Sequence, residues 1–358
     1  MSTAALASDP ARPDGSPALV RLWLVVVALL VLAMIVVGGA TRLTDSGLSI
    51  TEWQPLLGAI PPLSDANWQE AFAKYKQIPE YREVNRGMSL DAFKVIFWWE
   101  WGHRFLGRII GVVFAVPLLA FWLTGRIPRG FGLPLTGLLL LGGLQGAIGW
   151  YMVQSGLTEG VDVSPYRLAL HLSMAILILG LIVWTILGLS PPDTRVILLD
   201  TVTPAQRRGA TVLLALVFLQ IVAGAFVAGH KAGLVYNTWP TMNGEVLPDG
   251  LLLLTPWWLN AFENITTIQF NHRLLAYVLV LLALRHAWSV TRSADARTPG
   301  ATAMLLAAGL VAQAALGIVT LLAVSEARIP VVLGVAHQGG AAVVFMLAVW
   351  HRHAIGRR

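Results

Sequence analysis

Long apolar runs separated by short polar segments dominate the pattern of this chain. Eight runs are long enough to cross a bilayer, because a spanning helix needs roughly 20 mostly apolar residues. They cover about residues 22–40, 97–123, 133–153, 166–189, 211–229, 267–288, 301–323 and 329–350. The pattern therefore predicts an all-α membrane protein with eight transmembrane helices.

The composition and the positions of the basic residues agree with this prediction. The 358 residues are 56% hydrophobic and 12% charged, and the mean hydropathy is +0.69. Arginines cluster in alternate inter-helix segments, and an excess of Lys and Arg marks the cytoplasmic side. Both termini are therefore expected in the cytoplasm. The net charge of +6 follows from this topology, so no nucleic-acid partner is expected.

Polar stretches divide the chain further. Residues 1–18 have the composition of a disordered leader. The loop over 41–96 is rich in aromatic residues, which favours a folded cap on the outer face. The remaining predicted units are an N-terminal four-helix bundle over 19–190, a cytoplasmic linker over 191–208, a C-terminal four-helix bundle over 209–350 and a basic tail over 351–358.

The two bundles repeat one another. The matched pairs are Gly38 with Gly224, Gly47 with Gly233, Leu48 with Leu234, Trp53 with Trp239, His103-Arg104 with His272-Arg273, Gln145 with Gln313, Gly149 with Gly317, and His171 with His337. An even number of helices in each half gives both halves the same orientation, which predicts a pseudo-two-fold axis along the membrane normal. Chance similarity among apolar helices is the alternative, and the matched Trp, Gln, His and Arg residues argue against it.

Histidine is the repeated residue with the clearest chemistry. The four repeated histidines are His103, His171, His272 and His337. An imidazole in hydrocarbon is costly without a partner, so a repeated set indicates a ligand. All four are expected within one to two turns of the outer ends of even-numbered spans. Two imidazoles in each half suit a haem iron held between facing helices.

Other roles for these histidines remain open at this point. A bare metal centre usually has three or more converging ligands, including carboxylates, and the chain contains no cysteine. Helix–helix hydrogen bonding is the simplest alternative for a single membrane histidine. We expect the other histidines, His230, His286, His351 and His353, to be solvated or interfacial. Gln145 and Gln313 are expected to hydrogen-bond between helices.

Arginine near the outer boundary runs against the positive-inside bias. Arg42, Arg104, Arg273 and Arg328 lie there. Guanidinium groups bind carboxylates in a bidentate manner, so we predict that these residues bind haem propionates. The alternative is that their side chains extend to the lipid headgroups. Arg108, one turn beyond Arg104, fits either role.

One difference between the halves points to a reaction site. Glu100 stands three residues before His103 on the same helical face, and the matching residue before His272 is Gln269. A carboxylate can accept a proton or stabilise positive charge, whereas an amide cannot do the first and does the second poorly. The N-terminal half is therefore the expected site of chemistry. An ion pair with Arg104 is the structural alternative for Glu100.

Three segments resemble a known family. They are Ile50-Thr51-Glu52-Trp53-Gln54-Pro55, the stretch Pro79-Glu80-Tyr81 with Asn85 and Met88, and Trp98-Trp99-Glu100-Trp101-Gly102-His103-Arg104. Together they resemble the haem A synthases of the branch shared by alphaproteobacteria and mitochondria, over about residues 20 to 350. Some bacterial relatives carry a cysteine pair in an outer loop, which this chain lacks.

The resemblance implies an oxidoreductase acting on a CH or CH2 group. It would oxidise the C8 methyl of haem O to the formyl group of haem A for terminal oxidase assembly. The resemblance further implies that His272 and His337 ligate a resident haem b, that His103 and His171 hold the substrate haem, and that Glu100 is catalytic. It implies a multi-pass protein of the bacterial inner membrane, with haem O synthase and cytochrome oxidase assembly factors as partners besides lipid.

Two other classes stay open from the residues alone. A bis-histidine diheme b-type electron carrier would have equivalent sites and no need for Glu100. A transporter built from repeats would explain the duplication, but its substrate groups commonly lie near the midplane rather than near one face.

Overall fold

The fold is known from a computed structural model that describes residues 15–55, 57–189, 202–293 and 297–356. Its helices in chain order are α1 (Pro17–Leu43), α2 (Asp65–Tyr75), α3 (Pro79–Glu83), α4 (Leu90–Leu123), α5 (Gly132–Thr158), α6 (Pro165–Gly188), α7 (Pro204–Gly229), α8 (Asn260–Glu263), α9 (Ile265–Thr291), α10 (Arg297–Leu322) and α11 (Val331–Ala354). Short 3-10 helices cover Leu57–Ala59, Ala232–Leu234 and Trp257–Leu259.

Eight of these helices are long and apolar enough to cross a membrane. They are α1, α4, α5, α6, α7, α9, α10 and α11, and each overlaps one predicted span. The prediction of an all-α, eight-span membrane protein is therefore confirmed. Most of the predicted leader and linker, with Arg12 and Arg195, and the last two residues of the predicted tail, Arg357 and Arg358, lie outside the described residues.

The spanning helices pack in two groups. In the first group α1 contacts α4 and α6, and α5 contacts α4 and α6; in the second, α7 contacts α9 and α11, and α10 contacts α9 and α11. The groups meet where α1 packs on α11, α6 on α7 and α6 on α11. Gly180 lets α6 approach α11 closely, because a Cβ atom at this position would lie only 2.6 Å from Cε1 of Phe345. Both groups thus share one apolar core.

The loop before α4 is folded. Ser64 caps α2 by accepting a hydrogen bond from the Asn67 amide, and one face of α2 buries Trp68, Phe72 and Tyr75. Phe93, at the start of α4, is fully buried and stacks against Phe72 at 5.0 Å between ring centroids. Helix α4 therefore begins two turns before the predicted span, because its first residues pack on α2.

This cap buries a carboxyl group. Glu80 of α3 is 5% exposed and accepts a hydrogen bond from the Tyr75 hydroxyl at 3.2 Å, while Asn85 donates to that hydroxyl at 2.7 Å. Burial raises the pKa of Glu80 from its usual value of 4.5 to about 8, and the negative charge of Glu100 adds to the rise, whereas the bond from Tyr75 opposes it. Glu80 is therefore largely protonated at neutral pH.

The raised pKa of Glu80 predicts how stability depends on pH. Because the folded protein disfavours the ionised carboxyl, the free energy of unfolding should fall as pH rises from about 4.5 to about 8, and then level off. The Glu80→Gln variant should lose this part of the dependence. The measurement is the thermal unfolding midpoint in detergent at about pH 5 and about pH 9. Equal pH dependence in the wild type and the variant would contradict the burial argument.

The end of the bundle away from the cap contains a second polar cluster. His351 of α11 is fully buried; its Nε2 lies 2.8 Å from Nε2 of His286, and its Nδ1 lies 2.9 Å from Oγ1 of Thr302. The expectation that His351 is solvated or interfacial is therefore wrong. Helix α11 continues to Ala354, so the residue belongs to a packed helix rather than to a free tail. These hydrogen bonds join α9, α10 and α11.

Candidate functional site

The four repeated histidines all lie in the halves of their helices nearer the cap. His171, His272 and His337 come within about two turns of the first residue of α6, α9 and α11, as predicted. His103 lies more than three turns into α4, because that helix begins early in the cap. The expected distance from the helix start is therefore wrong for His103.

The structure brings the histidines together in two pairs. His103 lies within electrostatic range of His171, and His272 lies within range of His337. The second pair lines a cavity of about 710 Å³ between the helices of the second group, with α1 and α6 forming its other wall. This volume is in the range of small-molecule and cofactor sites, roughly 300–1,000 Å³.

Three of the histidines are held by glutamine from the preceding spanning helix. Nε2 of Gln145 lies 3.1 Å from Nδ1 of His171, Nε2 of Gln220 lies 3.1 Å from Nδ1 of His272, and Nε2 of Gln313 lies 3.0 Å from Nδ1 of His337. Each amide also donates to the main-chain oxygen of its histidine. The prediction of interhelical bonds for Gln145 and Gln313 is confirmed. Gln220 was not predicted. The spacing could have revealed it, because each of the three glutamines stands four residues before a repeated glycine.

Glycine allows each histidine ring to reach the neighbouring helix. A Cβ atom at Gly149 would lie 2.9 Å from Cε1 of His171, one at Gly317 would lie 2.8 Å from Cε1 of His337, and one at Gly224 would lie 3.2 Å from Cε1 of His272. A Cβ atom at Gly38 would also meet the ring of His103, at 2.9 Å from its Nε2. Four of the six repeated glycines, Gly38, Gly149, Gly224 and Gly317, are therefore places where imidazoles pack.

This donor set fits haem iron better than a bare metal ion. Within the described ranges, no three His, Cys, Asp or Glu side chains are grouped to hold a metal. The amide oxygens of Gln145 and Gln220 are buried and have no hydrogen-bond partner among the described residues. Two imidazoles on facing helices in each half are a donor set that haem iron accepts.

The four predicted arginines occupy two different places. Arg42, Arg273 and Arg328 line the cavity of about 710 Å³ with His272 and His337. Arg104 lines a separate pocket of about 350 Å³ beneath the cap. Arg42 also donates to the main-chain oxygen of Ala228 at 2.9 Å, and Nε of Arg273 is buried without a partner in the described part of the chain.

Arg104 and Arg273 make the same contacts in the two halves. Arg104 donates to the main-chain oxygens of Ile50 at 2.9 Å and Glu52 at 3.2 Å. Arg273 donates to those of Tyr236 at 2.8 Å and Thr238 at 2.9 Å, which are the matching loop positions. Each arginine therefore fixes the loop that follows α1 or α7.

Glu100 is buried and fully engaged. It is 2% exposed, and its Oε1 accepts from Nη2 of Arg104 at 2.6 Å. Its Oε2 accepts from the Ser49 hydroxyl and from the Ile50 amide, both at 2.7 Å. The predicted ion pair with Arg104 is present. The carboxylate is thus held at one place by three donors.

Gln269 makes the opposite contact in the second half. Its Nε2 donates to the main-chain oxygen of Tyr236 at 3.2 Å, whereas Glu100 accepts from the amide of the matching residue, Ile50. Oε1 of Gln269 is buried without a hydrogen bond in the described chain. The sequence difference therefore changes both the charge and the direction of hydrogen bonding at this position.

The pocket beneath the cap holds two further donors without an acceptor. Nη1 of Arg108 and Nε1 of Trp101 are buried and have no partner among the residues that the structure covers. The other donors of Arg108 bind the main-chain oxygens of Pro55 at 2.8 Å and Gln54 at 3.0 Å. Arg108 therefore holds the loop instead of extending to the headgroups, and the pocket has room for an anionic group.

Comparison with known proteins shows the family of the chain. Residues 21–349 match the family described as Cytochrome oxidase assembly protein. A heme A synthase of Parvibaculum lavamentivorans is 50% identical over 97% of this chain and 97% of the relative. Heme A synthases of Sinorhizobium medicae and a Chelativorans species are 51% and 52% identical, over 93% and 94% of this chain and 88% and 90% of the relatives.

The chain is thus a multi-pass membrane protein of the oxidase-assembly class, built from eight helices. It belongs to the Cytochrome oxidase assembly protein family, and within it to the haem A synthases. The resemblance seen around the Trp-Glu-Trp-Gly-His-Arg run is confirmed. The comparisons do not favour a diheme electron carrier.

Proposed function

We propose that this protein is an oxidoreductase that converts the C8 methyl group of haem O into the formyl group of haem A. The conversion would consist of two successive two-electron oxidations, from methyl to alcohol and from alcohol to a hydrate, which then loses water to give the aldehyde. Each oxidation would add the oxygen of one water, release two protons and pass two electrons to an external electron acceptor. The observation that carries the proposal is the asymmetric duplication: two histidine pairs in matched surroundings, with a carboxylate at only one of them.

The N-terminal half is the proposed reaction site. His103 and His171 would hold the iron of haem O, which is the substrate, and release it as haem A. The pocket beneath the cap would receive carboxylate groups of the substrate, because Arg108 and Trp101 have donors there without acceptors. Arg104 would contribute by fixing the wall of this pocket formed by Ile50 and Glu52.

The C-terminal half would hold a resident haem b through His272 and His337. When bound, haem supplies one-electron redox chemistry. Arg42, Arg273 and Arg328 would bind its propionates, since all three line the same cavity as the histidines. The free Nε of Arg273 is consistent with a carboxylate there.

Glu100 is the proposed catalytic residue. It lies one helical turn before His103 and is held by three hydrogen bonds, so its negative charge has a fixed position. A fixed charge of this kind stabilises positive charge that develops on the oxidised carbon, because no reorganisation is needed during the reaction. Glu100 can also accept a proton from the incoming water.

The repeat also suggests how the chain sits in the membrane. Helix contacts within the first group have counterparts in the second, which supports a pseudo-two-fold axis along the membrane normal. The basic residues of alternate loops then assign both termini to the cytoplasm and the histidines to the outer half of the bilayer. The proposed domains are the two predicted bundles, over 19–190 and 209–350, although α7 begins at Pro204, within the predicted linker, and α11 ends at Ala354, within the predicted tail.

The location and partners follow from the reaction. A bacterial inner membrane is the proposed site, with haem O synthase as the supplier of substrate and cytochrome oxidase assembly factors as acceptors of haem A. Both haem O and haem A are apolar and membrane-bound, so direct contact between these proteins within the bilayer would shorten their transfer.

The experiment is haem analysis of the purified protein from cells that make haem O. Pyridine haemochrome spectra and chromatographic identification should find haem b together with haem O, its alcohol or haem A. Detection of haem b alone, with no haem A formed in the cells, would favour the electron carrier. Absence of haem absorbance would favour a transporter.

A further inference from the structure

The fourth histidine lacks the glutamine that holds the other three. Gln220 stands four residues before Gly224, which packs on His272, and the residue four before Gly38 is Met34. A thioether carries no N–H and is only a weak acceptor. No hydrogen bond to the ring of His103 is found among the described residues. The repeat is therefore broken at one position, next to one of the four imidazoles.

Met34 of α1 stands at the position that matches Gln220 of α7. Its Cε lies 3.2 Å from the position of a Cβ on Gly107, one turn after His103 on the same helix. Met34 therefore packs against α4 beside the histidine. It fills the space between the helices without holding the imidazole.

The ring of His103 is also turned differently. In His171, His272 and His337 the atoms nearest the glycine are Cε1 and Nδ1. In His103 they are Nε2 and Cδ2. The three rings with an amide partner thus share one orientation, and the ring without a partner departs from it.

We infer that the three glutamines are positioning residues for iron ligands, and that their absence at His103 makes this imidazole the exchangeable ligand of the substrate haem. This inference rests on the proposed function. Each of these amides contacts the imidazole with its nitrogen and donates to the main-chain oxygen of the same histidine, which limits rotation of the ring. Losing a residue that orients a ligand typically lowers metal affinity 10- to 100-fold. The N-terminal site then has one fixed ligand, His171, and one mobile ligand, His103.

This arrangement matches what each site has to do. A substrate haem must enter and its product must leave, which requires that at least one axial bond form and break in every cycle. A resident haem must stay, and both of its ligands are held by an amide, His272 by Gln220 and His337 by Gln313. One imidazole is thus held by an amide in the N-terminal half and two are held in the C-terminal half. This difference distinguishes the two sites without reference to Glu100.

The test exchanges the residues of the two halves. The variants are Met34→Gln, with Met34→Leu as its matched control, and Gln220→Met. Haem transfer from the purified proteins to apomyoglobin is followed in time, and the haems are identified chromatographically, so that haem O and haem A report on the N-terminal half and haem b on the other. The midpoint potential of each haem is measured in parallel.

Met34→Gln should slow the release of haem O and haem A by about 10-fold or more relative to Met34→Leu. It should also shift the midpoint potential of that haem, which Met34→Leu should leave unchanged, because the amide fixes the orientation of the ligating ring. Gln220→Met should speed the loss of haem b by a similar factor. Equal release from Met34→Gln and Met34→Leu would overturn the inference, as would unchanged retention of haem b in Gln220→Met. Neither result would affect the proposed reaction, whose own failure is the absence of haem O or haem A from the wild-type protein.

Discussion

Replacing Glu100 with glutamine should leave both haems bound and reduce haem A formation by about 100-fold or more, with haem O or its alcohol accumulating. A single preorganised charge or proton acceptor commonly contributes 10²- to 10⁴-fold to a rate. The histidines remain unchanged in this variant. The measurement is chromatographic quantification of haem O, the alcohol and haem A in purified protein and in membranes.

The control must separate chemistry from structure, because Glu100 also anchors the loop after α1. In the Glu100→Gln variant one amide oxygen can still accept from the Ser49 hydroxyl and the Ile50 amide, which both bind Oε2 of Glu100, but the amide nitrogen then faces Arg104 and the ion pair is lost. Ser49→Ala removes one of these bonds and keeps the charge, so it should retain most haem A formation. A normal yield of haem A from Glu100→Gln would remove Glu100 from the chemistry. An equal loss of haem A formation in Ser49→Ala would show that Glu100 acts by anchoring the loop after α1.

Replacing His272 or His337 with alanine should deplete haem b from the purified protein while haem O or haem A remains bound in the other half. Losing an iron ligand should lower haem affinity by more than the 10- to 100-fold that is typical for losing a residue that orients a ligand. Replacing His103 or His171 should give the converse result. The measurement is the ratio of haem b to haem O plus haem A per protein.

A histidine outside the cavity supplies the control for these variants. His353 lies on α11, as His337 does, but near the end away from the cap, where its ring contacts Trp184 at 5.1 Å between centroids. His353→Ala should keep both haems. Depletion of both haems by His272→Ala alone would contradict two independent sites, and retention of haem b in His272→Ala and His337→Ala would remove the C-terminal pair as its ligands.

The sequence predicted more of the site than is usual because the chain is duplicated. A repeated His, Gln or Gly in an apolar helix is visible without any structure, and Gln145, Gln313 and the four glycines were all matched residues of the repeat. Gln220 and Met34 were missed because they do not match each other. The difference between Glu100 and Gln269 was visible because each stands three residues before a matched histidine, whereas Met34 and Gln220 lie on different helices from His103 and His272.

The burial of single polar groups was the other feature that the sequence could not give. His351 begins the basic tail and Glu80 lies in the predicted loop over 41–96, so both have the sequence context of exposed residues. In the structure each is 5% exposed or less, because α11 continues past the apolar run and because α2, α3 and α4 enclose the cap. Exposure depends on which elements pack on a residue, and local sequence does not specify that.

By itself the sequence determined the eight spans, the duplication, the four histidines and the difference between Glu100 and Gln269, because hydrophobic runs and rare polar residues in them are properties of the linear chain. The tertiary structure alone decided that His272 and His337 face one cavity and that Glu100 is bound by Ser49, Ile50 and Arg104. It also decided that three imidazoles have an amide partner, whereas none is found for His103 among the described residues. These facts depend on how helices distant in sequence pack side by side, which sets the distance between any two side chains.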